Sequence, residues 1–176
     1  MRRRRDPTPA ITRAARDHLL PGEEVVAGVH VQMPGTNGAA MSGAASGAVG
    51  ATLDLPPSVG HSDDEGVQRW RSAAVAMGVD PEAARRMIWS ALALTTSRLL
   101  VLRRSRLSRR VVGAGAAWPV GEVEIVVPRQ GSTLTIHRRE LSLPFELPTA
   151  HKFLPEVYRE LPERLAEVRD RVGDGP

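Results

Sequence analysis

Arg103-Arg104-Ser105-Arg106-Leu107-Ser108-Arg109-Arg110 places five arginines within eight positions, the longest basic run in the chain. Guanidiniums this close repel one another unless water or an anion lies between them. Arg103, Arg104, Arg106, Arg109 and Arg110 are therefore a candidate surface for phosphate or carboxylate groups, such as those of acidic lipid head groups. The plain alternative is a solvated loop in an arginine-rich protein. Arg2 to Arg5 form a second run, worth on the order of 1 kcal/mol per residue close to an anionic membrane. A nucleic-acid reader is not expected, because neither run is interleaved with aromatic residues that could stack on bases.

A second spacing concerns packing. Between Pro34 and Asp54 the chain carries no charge before its last residue, and small residues recur every fourth position at Ala39, Gly43, Gly47 and Ala51. On a helix these would line one face and let a second backbone approach closely, which is the basis of the alternative reading: a self-assembling or membrane-protein-associated chain, with a homo-oligomer as one outcome. The same composition also suits a flexible loop, since each glycine costs a helix about 1 kcal/mol. Only Met41, Val49, Leu53 and Leu55 are larger apolar residues here, too few for a membrane span.

Other chemistries lack their residues. With no cysteine there is no disulfide, thiolate metal site or thiol nucleophile. His18, His30, His61, His137 and His151 show no i,i+4 pairing, and His61 with Asp63 and Asp64 is the one local cluster, in a turn-rich stretch. In Gly43-Ala44-Ala45-Ser46-Gly47 the serine stands one position too late for a nucleophile elbow. No glycine-rich run ends in the Lys-Ser/Thr of a phosphate-cradling loop. A non-enzymatic chain without cofactor or metal is the expectation.

The chain of 176 residues suits a single core. Aromatics make up only 3% of it, so that core must come from Val, Leu, Ile and Ala. The net charge of +4 rests almost wholly on arginine, Lys152 being the sole lysine, and mildly favours anionic partners. The basic start is followed by Asp6-Pro7-Thr8-Pro9 rather than an apolar stretch, so no signal peptide is read there and a cytoplasmic protein is expected.

Periodicity gives the elements that would hold the arginines. Ile11 to Leu20 reads as a short helix ended by Pro21-Gly22, and Glu23 to Met33 as a first strand with Val25, Ala27, Val29 and Val31 on one face. Helices are expected over Glu65 to Met77, and from the Asp80-Pro81 start to Met87. Six further strands follow: Ile88 to Thr95, Leu99 to Arg104, Ala116 to Val120, Glu122 to Val127, Thr133 to Arg138 and Leu141 to Leu147. Gly113 and Gly115 weaken the start of the third of these. A closing helix carries Leu154, Tyr158, Leu161, Leu165, Val168 and Val172 on one stripe across Pro162, where a kink is expected. Trp70, Trp89 and Trp118 are expected to pack the inserted helices onto the sheet.

Leu20-Pro21-Gly22-Glu23-Glu24-Val25, Ala93-Leu94-Thr95-Thr96-Ser97-Arg98-Leu99-Leu100-Val101-Leu102 and Trp118-Pro119-Val120 to Val127 together resemble the bacterial pleckstrin-homology-like (PH-like) domains. The resemblance spans about Leu20 to Asp170, interrupted by Pro34 to Met87. It implies an α+β, mainly β fold: a seven-stranded, partly open antiparallel barrel capped by the C-terminal helix, with a helical insertion after strand one and no catalytic residues. The domain would run over 11–172, with an insertion at 34–87, a disordered basic tail at 1–10 and a short tail at 173–176. The insertion falls where eukaryotic members carry a basic phosphoinositide loop. Here that connection is Gly/Ala-rich and then acidic, so no inositol-phosphate site is carried over. The expected function is a binding module for a protein partner or an acidic lipid surface, cytoplasmic or peripheral at the inner membrane face.

Overall fold

The computed structural model describes residues 6–35, 64–105, 110–129, 132–148 and 156–173. Its order is α1 (Thr8–Ala15), β1 (Val25–Gln32), α2 (Asp64–Ala76), α3 (Pro81–Arg86), β2 (Trp89–Thr95), β3 (Arg98–Arg104), β4 (Val111–Pro119), β5 (Glu124–Val126), β6 (Thr133–Arg138), β7 (Leu141–Glu146) and α4 (Glu156–Gly173). The fold is α+β and mainly β. Seven antiparallel strands form one open sheet in the order β4-β3-β2-β1-β7-β6-β5. Its two outermost strands, β4 and β5, are consecutive in the chain, linked through a 3-10 turn at Val120–Glu122.

The sheet narrows between β1 and β7, which share only the pair Gln32 and Glu146. On the same edge of β1, two residues apart each time, the backbone finds other partners. The Gly28 N–H donates to Thr8 Oγ1 (3.1 Å), and the His30 carbonyl accepts from the Tyr158 hydroxyl (2.8 Å). Helices at both ends of the chain thus satisfy the strand where the sheet does not.

Both faces of the sheet are covered. One meets α2, α3 and α4 in the main core, which includes Val29, Val31, Leu92, Leu94, Val101, Leu134, Ile136, Leu143, Phe145 and Tyr158. The other meets α1: Ile11 and Ala15 pack on Ala91, Ala93, Leu100 and Leu102. Double coverage accounts for the near-continuous apolar runs of β2 and β3, where alternation alone would have put every second residue in water. Gly28 makes the contact with α1 possible, for a Cβ there would lie 2.9 Å from the Ile11 side chain. Helix α1 begins at Thr8, inside the stretch expected to be tail.

The described part of the insertion, residues 64–87, shares the core of the sheet. Trp70, Ala74, Met77, Val79, Ala83, Ala84 and Met87 all join the main cluster. Trp70 packs edge-on against Phe145 at 5.8 Å between ring centres and donates to the Pro144 carbonyl (2.8 Å). Helix α2 ends in a Schellman turn: Gly78 takes φ +89°, its N–H bonds to the Val75 carbonyl, and the Val79 N–H bonds to the Ala74 carbonyl. The freed Met77 carbonyl accepts from Trp118 Nε1 and Arg138 Nη1, both at 2.8 Å. Asp80 then caps α3 by accepting from the Ala83 N–H (2.7 Å). Trp70 and Trp118 therefore do pack the insertion, whereas Trp89 lies half-buried at the start of β2.

Two expectations change in detail. Strand β4 starts at Val111, not Ala116, and its glycines belong to it: a Cβ on Gly115 would stand 2.9 Å from Met87 Sδ, so the missing side chain admits the end of the insertion. Val172 leaves the apolar stripe and is 54% exposed, because α4 makes its last anchoring contacts one turn earlier, where Arg169 donates to the Val120 and Val123 carbonyls. Helix α4 continues through Pro162 and is not divided there. Leu154 lies outside the described residues.

Candidate functional site

The arginine run sits where β3 passes into β4. Arg103 pairs with Ser90 on one side and Gly113 on the other, and Arg104 with Val111. The Ser105 N–H donates to the Arg110 carbonyl (2.9 Å), which draws the two ends of the turn together. The Arg103 guanidinium lies beside Gly113. Arg103 and Arg104 are half-buried and Arg110 is exposed, so three of the five candidate cations gather at one end of the sheet. Arg104 also acts electrostatically on Tyr158, whose hydroxyl burial pushes well above the usual tyrosine range while the nearby guanidinium opposes that rise. Arg106 and Arg109 lie outside the described residues, as do Ala39, Gly43, Gly47 and Ala51 and the whole small-residue spacing.

The other end of the sheet holds a cluster that residue spacing alone does not reveal. The carboxylate of Glu23 is buried between the turn before β1 and the β2–β3 turn. Arg98 grips it in a fork, Nε to Oε1 at 2.9 Å and Nη2 to Oε2 at 2.8 Å. The Leu20 N–H (2.7 Å), Thr95 hydroxyl (2.6 Å) and Ser97 hydroxyl (2.8 Å) complete the shell. Arg98 donates further to the His18 carbonyl (2.7 Å). Burial works against the charged carboxylate, yet the bonds from Arg98, Thr95, Leu20 and Ser97 more than offset it and hold the group at about 2. Five donors fill the acceptor capacity of one carboxylate, so Glu23 has no lone pair left for a substrate or a proton in transit. The cluster is a clamp.

This clamp ties together two segments that lie far apart in the sequence. Leu20 to Val25 supplies the carboxylate and one backbone donor, and Thr95 to Arg98 supplies the rest. The signal in the sequence was the first of two adjacent acids just after a Pro-Gly turn and a lone arginine just after a Thr-Thr-Ser turn.

Among the described residues no three metal-ligating side chains come together. His18, His30 and His137 lie apart on α1's trailing turn, β1 and β6, and His61 and His151 fall outside the described residues. No described helix is long and apolar enough to cross a membrane. No known protein family matches the chain, and no curated protein does either.

Proposed function

We propose that this chain is a non-catalytic PH-like binding module that docks on an anionic membrane surface through the basic end of its sheet. The carrying observation is the gathering of Arg103, Arg104 and Arg110 at the β3–β4 turn, closed by the Ser105–Arg110 backbone bond. Strands hold the backbone of this end in place, with Arg103 and Arg104 on opposite faces of β3, so an anionic surface that meets the turn has little backbone left to order. The PH-like assignment draws support from a four-stranded run, β4 to β1, joined to a three-stranded run, β7 to β5, by one residue pair, with a C-terminal helix bonded to β1 at that junction. It also draws on the saturated Glu23 clamp, which uses the chain's most perturbed described carboxylate for structure.

Sedimentation with vesicles tests the reading. The protein should pellet with vesicles containing phosphatidylserine and stay in solution with phosphatidylcholine alone. Changing Arg103, Arg104, Arg106, Arg109 and Arg110 together to Gln should remove the difference, at about 1 kcal/mol for each charge near the surface. Equal pelleting with both lipids, or no change in the fivefold variant, sinks the proposal.

A further inference from the structure

Helices α2 and α3 enclose an open groove of about 940 Å³. Its floor is apolar, from Val75, Ala76, Pro81 and Ala84, and its rim carries Arg71, Arg85 and Arg86 with Glu82 as the one carboxylate. Arg71 and Val75 stand four residues apart on the flank of α2 beside the face of Trp70, Ala74 and Met77, which are buried in the core. The walls are fixed at the helix junction by the Gly78 turn, by Trp118 and Arg138 on the Met77 carbonyl, and by the Asp80 cap. A groove with such anchored walls exists before any ligand arrives.

Arg71 distinguishes this groove. Its Nε–H is shut off from water and has no hydrogen-bond partner among the described residues. Other arginines on the same framework are engaged: Arg98 with Glu23, Arg138 with Glu122, Arg169 with two carbonyls. Burying a donor without a partner costs about 1–3 kcal/mol, so a group that accepts from Arg71 once its side chain turns into the groove has that much to gain. Glu82 reaches Arg85 at 3.4 Å and Arg86 at 3.8 Å, long contacts between largely exposed side chains that an incoming anion can displace. Three guanidiniums against one carboxylate leave two positive charges over an apolar floor. That balance matches a phosphate monoester, a dianion above its second pKa near 6, better than a single carboxylate. The volume is several times that of a phosphate group and falls in the range of small-molecule sites, leaving the floor to an apolar body.

We infer that the α2–α3 groove binds a phosphate monoester attached to an apolar body, with Arg71 as the central donor and Arg85 and Arg86 closing on the phosphate. The same chemistry is offered by a soluble phosphate ester and by phosphatidic acid, and the test separates them. Phenyl phosphate is titrated into the full chain at constant ionic strength and pH 7.5, following the Arg71 Nε–H and Val75 methyl signals by NMR. Both should shift saturably, with the other arginine Nε–H signals still. Affinity should fall about tenfold or more in R71Q and in the double variant R85Q/R86Q, whose positions are exposed enough to leave folding intact. Shifts with phenyl phosphate assign the site to soluble esters. Shifts that appear only with phosphatidic acid vesicles, and are lost in R71Q while R103Q/R104Q retains them, assign it to the lipid. No saturable shift with either probe, or one unchanged in both R71Q and R85Q/R86Q, overturns the inference.

Discussion

Replacing Glu23 by Gln tests whether the clamp at the β2–β3 turn holds the fold. Glu23 sits at about 2 instead of its ordinary 4.5, and each tenfold in proton affinity is worth about 1.4 kcal/mol, so its ionised form adds on the order of 3 kcal/mol to stability at neutral pH. Little of this is discounted for solvent, because the side chain is 3% exposed. The sign follows from the lowered value. Above 4.5 the carboxyl is charged in both folded and unfolded chains and the full contribution is present. As pH falls from 4.5 toward 2 the unfolded chain takes up the proton first, and the contribution disappears. E23Q keeps the shape but turns an NH2 toward donors from Arg98, Thr95 or Ser97. Urea unfolding followed by tryptophan fluorescence should place the variant about 3 kcal/mol below the parent at pH 7, with the gap constant down to about pH 5 and closing toward pH 2. Arg98→Met supplies the complementary reading: with the fork gone, burial is left less opposed, and the Glu23 carboxyl should titrate well above 2 by NMR. A gap under about 1 kcal/mol at pH 7, or one indifferent to pH, would refute the assignment of the clamp.

Two further outcomes follow from contacts with β1. Gly28→Ala puts a methyl 2.9 Å from Ile11, and should cost about 1–3 kcal/mol in urea unfolding; a second change, Ile11→Ala, should recover part of that loss in the double variant despite its own cost. Tyr158 is the chain's single tyrosine, so its ionisation can be read directly from tyrosinate absorbance. Burial raises its hydroxyl, so the folded protein should show little tyrosinate at pH 10, where a free tyrosine is half-ionised. The unfolded chain ionises there and the folded one does not, so stability should decline as pH climbs past 10. Tyr158→Phe should remove this dependence and cost about 1–2 kcal/mol by leaving the His30 carbonyl without its hydroxyl donor.

How far the sequence discloses this architecture depends on whether a residue's partner is near or far along the chain. Leu141, Leu143, Phe145 and Leu147 alternate against polar neighbours, and that local pattern is enough to place β7. Asp80-Pro81 marks the start of α3 by cap chemistry alone. Gly115 misleads, because a glycine in a strand reads as weakness until Met87 is known to occupy the space. The runs at Trp89–Thr95 and Leu99–Leu102 say that a strand is buried on both faces, but not that α1, some eighty residues earlier, is the cover. The clamp is hidden for the same reason: Glu23 and Arg98 are 75 positions apart, and neither has a charged residue of opposite sign placed to suggest the other.

The same distinction bears on function. The basic turn at Arg103–Arg110 is a sequence cluster and was legible as charge, while its meaning depends on strands β3 and β4 fixing three of its arginines at one sheet end. The groove is the opposite case, for Arg71 and Arg85 stand fourteen residues apart and nothing in their spacing pairs them. They meet because Gly78 can take a positive φ and reverse the chain, and because Trp118 and Arg138 reach from the sheet to hold the carbonyl this reversal exposes. A Gly78→Val change would strain the turn and move Arg85 relative to Arg71 without touching a charge. An insertion held so firmly on both sides of one reversal, and sharing its core with the sheet, is positioned to present a surface of its own. The basic turn and the α2–α3 groove are thus the two proposed anion-recognising surfaces, one on the scaffold and one on the inserted helices.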